Sequence, residues 1–132
     1  MAEKIILEMT REQAYAVMNA TELLARLEIG QFKEISWNFL ERFMTPDGHF
    51  DSDRRDHVDE LLEQVCRAIF GVNKYGWPNI EGKSIVHERN WAVYTVIRYA
   101  IAWHDHPEGG TTVNFNKPLG YGEPLPKCRI ED

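Results

Sequence analysis

Four side chains with chemical reach recur at helical spacing in the last third of the chain. His87, Trp91, Tyr94 and Arg98 follow an i, i+4, i+7, i+11 pattern, which puts them within roughly 60° of one another on a helix. Two aromatic faces, an imidazole and a guanidinium on one stripe can stack a base and pair with a phosphate. The preceding loop adds Asn73 and Trp77, with Tyr75 and Asn79 close by and Gly76 and Pro78 at its turns. Asparagine amides read base edges, and a helix starting near Ser84 favours an anion at its first turn. The competing reading is structural: Trp91 and Tyr94 are core aromatics, and Arg98 pairs with Glu60 or Glu63 on the preceding helix.

Trp103-His104-Asp105-His106 suggests a metal. His104 and His106 converge on one ion only if the helix has already broken there, and an HD-type phosphohydrolase needs more. His57 or His87 would have to serve upstream, and only Asp132 lies downstream. A capping and turn role for His104 and Asp105 is the simpler expectation, so no metal and no other cofactor is assigned. The acidic run Asp47 to Asp53 fails the calcium-loop test, because position 12 falls on Val58 or Leu62 where a glutamate is needed. Glu60 and Glu63 form an ExxE pair without a second acidic pair on the next helix. Glycine-rich phosphate loops and nucleophile elbows are missing. Cys66 and Cys128 have no neighbouring base, and both are expected as buried thiols.

These groups need a scaffold, and the periodicity supplies one. Thr10-Arg11-Glu12-Gln13 is a capping box opening a helix that runs to about Leu27 and stops at Gly30. A second helix spans about Gln31 to Phe43 with Phe32, Ile35, Phe39 and Phe43 on one stripe, ending at Thr45-Pro46-Asp47-Gly48. On it, Trp37 lies ~140° from Phe32, among Glu34, Asn38 and Glu41, so it is a candidate interface residue. A third helix runs from about Ser52 to Phe70 with a core stripe of Val58, Leu61, Leu62, Val65 and Ile69. The loop Val72–Ser84 leads to a fourth, about Ile85 to His104. Lys4–Met9, Thr111–Phe115 and Lys127–Glu131 read as short strands. The expected fold is therefore α+β, about four helices packed with a small antiparallel sheet from the terminal strands.

The chain has 132 residues, 43% of them hydrophobic and 27% charged, which suits a single domain over residues 1–132. Its 15 basic and 21 acidic residues leave a net charge of −6, the wrong sign for a duplex nucleic-acid binder. No signal peptide and no membrane span is expected, and two cysteines fit a reducing cytoplasm.

Four stretches resemble small proteins of tailed bacteriophages: Leu27-Glu28-Ile29-Gly30-Gln31-Phe32, Gly71–Asn79 (GVNKYGWPN), Trp103–Gly110 (WHDHPEGG) and Gly122–Cys128 (GEPLPKC). The similarity covers nearly the whole chain and carries no catalytic residue with it. It implies a phage accessory protein in the cytoplasm of an infected bacterium, acting in host takeover or defence evasion. Joined to the stripe, it points to a non-enzymatic protein that sequesters a small nucleotide-like ligand, possible as a homo-oligomer. The first alternative is an interaction module that inhibits a host protein. The second is a metal-dependent phosphoesterase built on His104, Asp105 and His106.

Overall fold

The computed structural model describes residues 3–80, 82 and 84–132; Glu81 and Lys83 of the expected loop lie outside them. It is mostly helical: α1 (Arg11–Glu28), α2 (Glu34–Asn38), α3 (Ser52–Phe70) and α4 (Ile85–Asp105), with 3-10 turns at Leu40–Phe43 and Val113–Phe115. Among the described residues there is no β-strand. Two isolated bridges, Met44 with Phe50 and Val72 with Pro78, are the only β pairing among them. The expected sheet, and with it the α+β class, is therefore corrected to a mostly helical arrangement without a sheet among the described residues.

The chain divides into two compact units, one of Met1–Glu22 with Arg89–Asp132 and the other of Leu23–Glu88. In the first, the capping box closes as its residue types require. Thr10 N–H donates to Gln13 Oε1 at 2.9 Å and Gln13 N–H to Thr10 Oγ1 at 3.2 Å, so two orphan amides of α1 are satisfied reciprocally. Thr95 and Val96 of α4 are buried here, and the Thr95 hydroxyl donates to the Trp91 carbonyl at 2.8 Å. The tail after α4 is tied down by aromatic contacts instead of strand pairing. Trp103 and Phe115 meet edge to face at 5.4 Å, and the Trp103 indole N–H donates to the Phe115 carbonyl at 3.3 Å. A Cβ on Gly110 would lie 2.4 Å from the Phe115 ring. Thus the alternating Thr111–Phe115 segment becomes a 3-10 turn, because burying Phe115 against Trp103 outweighs its strand pattern. Lys4–Met9 and Lys127–Glu131 carry no regular structure. A strand needs a neighbour for its backbone groups, and among the described residues neither segment pairs with one.

In the second unit α1 ends in a Schellman motif. Gly30 adopts φ +82°, its N–H donates to Leu27 O at 2.9 Å, and Gln31 N–H donates to Arg26 O at 2.9 Å. The small core comprises Ala25, Phe32, Ser36, Phe43 and Cys66, with Phe32 edge-on to Phe70 at 6.1 Å. Asp51 caps α3 by accepting from Arg54 N–H at 3.1 Å.

Two expectations about these helices are also corrected. The second helix breaks after Asn38, whose side-chain amide donates to Glu34 O at 2.7 Å and competes with the backbone ladder. Phe39 is consequently more than half exposed although it sits on the expected core stripe. On α3, Leu61, Val65 and Ile69 are exposed, and the buried face is rotated toward Cys66. A short α2 covers less of α3 than a helix of thirteen residues would have.

Candidate functional site

In the Leu23–Glu88 unit a buried polar contact underlies an exposed aromatic, Trp37. Ser36, 1% exposed, donates from Oγ to Asp59 Oδ1 at 2.5 Å. Asp59 in turn faces Arg55 one turn earlier on α3, Oδ2 to Nε at 3.9 Å. The Arg55 guanidinium lies over the Trp37 ring at 4.5 Å. A buried hydroxyl thus orients a carboxylate, the carboxylate stands in ion-pair range of an arginine whose Nε makes no hydrogen bond, and the guanidinium covers an indole that is 57% exposed.

Trp37 stands at one side of an open groove of about 310 Å³ lined by Gly30, Gln31, Phe32, Lys33, Glu34, Trp37, Glu63, Cys66 and Pro78. Its walls are largely apolar. Its two acidic lining residues have partners: Glu34 lies 4.0 Å from Arg26, and Glu63 lies 3.4 Å from Arg67. At its floor the Cys66 thiol donates to the Gly30 carbonyl at 3.5 Å. Burial, reinforced by Glu63, pushes that thiol above its ordinary value, so it is held protonated and is a poor nucleophile. A groove of this kind can seat an apolar side chain from another molecule, and it holds no acid–base pair for chemistry.

The residues of the expected ligand stripe fall in both units. In the Leu23–Glu88 unit, His87 Nδ1 donates to the Ala25 carbonyl at 2.7 Å, a tie between the end of α1 and the start of α4. Asn73 spends its side-chain oxygen on the loop, accepting from Tyr75 N–H at 2.9 Å and Trp77 N–H at 3.2 Å. Trp77 itself is exposed. In the other unit Trp91 and Tyr94 are half-buried neighbours at 5.1 Å. The Arg98 guanidinium lies 5.0 Å from the Tyr94 ring centre, and Nη1 donates to its phenol oxygen at 3.4 Å. Burial and a hydrogen bond to Glu22 raise the Tyr94 phenol above its ordinary value. Glu63, offered by the sequence as a partner for Arg98, pairs along its own helix with Arg67. The Arg98 Nε is buried without a hydrogen-bond partner, and the phenol it shares with Glu22 links it to that acid.

His104 and His106 turn to different partners. His104 donates from Nε2 to Asp132 Oδ1 at 2.9 Å and from Nδ1 to Asp105 Oδ1 at 3.1 Å. His106 faces Glu108 at 3.4 Å and the Phe115 ring at 6.3 Å. Asp105 also takes a bidentate contact from Arg11, both distances 2.9 Å. Among the described residues no three histidine, cysteine or acidic side chains gather as a metal site. Cys128, expected buried, is exposed, although partial shielding of its sulfur raises its thiol.

The His104 cluster gives the protein a pH signature. Hydrogen bonds to Asp105 and Asp132 raise the His104 imidazole above its ordinary 6.5. Arg11 first, and His104 second, hold Asp105 below its ordinary 3.8. A raised histidine contributes fully below 6.5 and loses its contribution as pH rises through the folded value; the lowered aspartate contributes above 3.8 and fails on acidification. The melting-temperature gap between the wild type and His104→Gln is therefore expected to be widest between about pH 4 and 6.5 and to close in alkali. A gap that is constant from pH 5 to pH 9 on differential scanning calorimetry contradicts the assignment.

Ser36, Arg55 and Asp59 are not marked out by sequence pattern as site residues. Ser36 carried a usable signal, being a hydroxyl within the arc of Phe32 and Phe43, where it must find a partner. Arg55 carried none, since charged residues surround it on both sides.

No protein family, curated protein or solved structure matches this chain. No helix among the described residues is long and apolar enough to cross a membrane.

Proposed function

We propose that this chain is a non-enzymatic binding protein that grips a partner protein at the Trp37 groove. One observation carries the reading: an indole more than half exposed is nonetheless held in place by Arg55, beside an apolar groove. Tryptophan is costly to leave in water and its ring loses little freedom on binding, so a fixed, exposed one suits an interface anchor. The likeness to tailed-phage proteins makes a bacterial protein the natural partner, inhibited by occlusion.

A second reading rests on a separate observation. Arg98, stacked on Tyr94 beside Trp91 and with its Nε buried without a hydrogen-bond partner, suits a small anionic aromatic ligand such as a nucleotide. In that case tryptophan fluorescence responds to a nucleotide panel and Arg98→Ala abolishes the response.

Capture from a lysate of the infected bacterium separates the two. The wild type is expected to retain a protein that Trp37→Ala loses and Arg98→Ala keeps. Equal retention by all three proteins contradicts the groove as the binding surface.

A further inference from the structure

Among the described residues, the two least covered large hydrophobic side chains, Ile5 and Ile6, lie ahead of α1 with Leu7 beside them. Ile5, Ile6 and Leu7 are 92%, 87% and 71% exposed, and residues 3–10 carry no regular structure. Their types favour a strand, yet no strand among the described residues is there to receive them. We propose that the Lys4–Met9 segments of two copies of this chain pair with each other as antiparallel strands centred on Ile6.

The segment is complementary to itself in this register alone. Antiparallel pairing about Ile6 sets Lys4 opposite Glu8 of the second copy and Glu8 opposite its Lys4, two opposite-charge pairs related by symmetry. Ile5 faces Leu7 on both sides, so four aliphatic side chains gather on one face while Ile6 meets Ile6 on the other. A slip by one residue sets Lys4 against Leu7, or Ile5 against Glu8, and loses both charge pairs. That match matters in a chain of net charge −6, for which self-association is otherwise opposed by repulsion. A two-stranded ribbon is marginal by itself, so the dimer is weak, with a dissociation constant on the order of 100 µM. The contact is independent of the Trp37 groove.

Sedimentation equilibrium of the full chain from ~10 µM to ~1 mM tests it. The wild type is expected to dimerise with concentration. Lys4→Glu and Glu8→Lys each place like charges opposite one another twice and are expected to raise the dissociation constant roughly fivefold or more. An equimolar mixture of the two single variants, and the double variant Lys4→Glu/Glu8→Lys, are expected to associate again. The segment lies outside the helices, so all variants keep the wild-type circular dichroism. A wild type that stays monomeric at ~1 mM overturns the proposal, as does failure of the mixture and the double variant to recover association.

Discussion

Gly30→Val is expected to destabilise the protein by about 3–5 kcal/mol, a large part of the total stability of a small domain. Two costs add at this position. Gly30 sits at φ +82°, where a β-branched side chain is strongly disfavoured, and a Cβ there would lie 2.0 Å from Ile80 Cδ1 and 3.1 Å from its Cγ1. The Cys66 sulfur lies at ordinary contact distance, 3.6 Å, so the Ile80 side chain is the group that has to move. Gly48 provides the comparison, since its φ is +86° but nothing lies within 4 Å of its Cβ position. Gly48→Ala should therefore carry the backbone cost alone, about 1–2 kcal/mol. Chemical denaturation of the two variants checks the difference, and equal losses would show that the Ile80 contact carries no weight.

Phe43→Ala is expected to remove about 3–5 kcal/mol by opening a cavity in the Leu23–Glu88 core. The ring is buried, meets Phe50 edge to face at 6.5 Å and lies under the Arg54 guanidinium at 5.3 Å. Its backbone carbonyl accepts from Asp51 N–H at 2.8 Å, beside the Met44–Phe50 bridge. Truncation therefore loosens the turn ahead of α3 as well as the core. The same substitution at Phe39, more than half exposed, should cost about 1 kcal/mol or less. A comparable loss at both positions would contradict the break after Asn38.

That break shows where the sequence was readable and where it was not. α1, α3 and α4 were legible because each joins long apolar periodicity to a local stop or start: the Thr10–Gln13 box, the Asp51 cap, the glycines at 30 and 71. α2 was read too long because its Phe32–Phe43 stripe has helical spacing throughout. The Asn38 side chain ends the helix locally, and the apolar period does not register that event. The terminal strands were misread for a different reason. Their residue types favour strands, but a strand exists only with a partner, and Phe115 finds a better one in Trp103.

Of the candidate site, Trp37 was legible as an aromatic on a polar helical face. The groove beside it was not, since Gly30, Phe32, Cys66 and Pro78 come together only after folding. The Ser36–Asp59–Arg55 set beside the indole spans 23 residues between its hydroxyl and carboxylate, beyond the reach of local pattern. In the His87–Arg98 stripe the spacing was right for one helix. The role of His87 as a donor to Ala25 depended on a tertiary contact 62 residues away.

Whether Trp37 serves binding in preference to folding is measured directly by the affinity of Trp37→Ala for the captured partner. An interface anchor of this kind is expected to be worth about 2 kcal/mol or more, a loss of roughly thirtyfold in affinity. Losing the Arg55 stack should cost the free protein only about 1 kcal/mol, so the variant remains folded at the assay temperature. Affinity within about twofold of the wild type would contradict the claim, and so would a variant whose weaker binding is matched by an unfolded free protein.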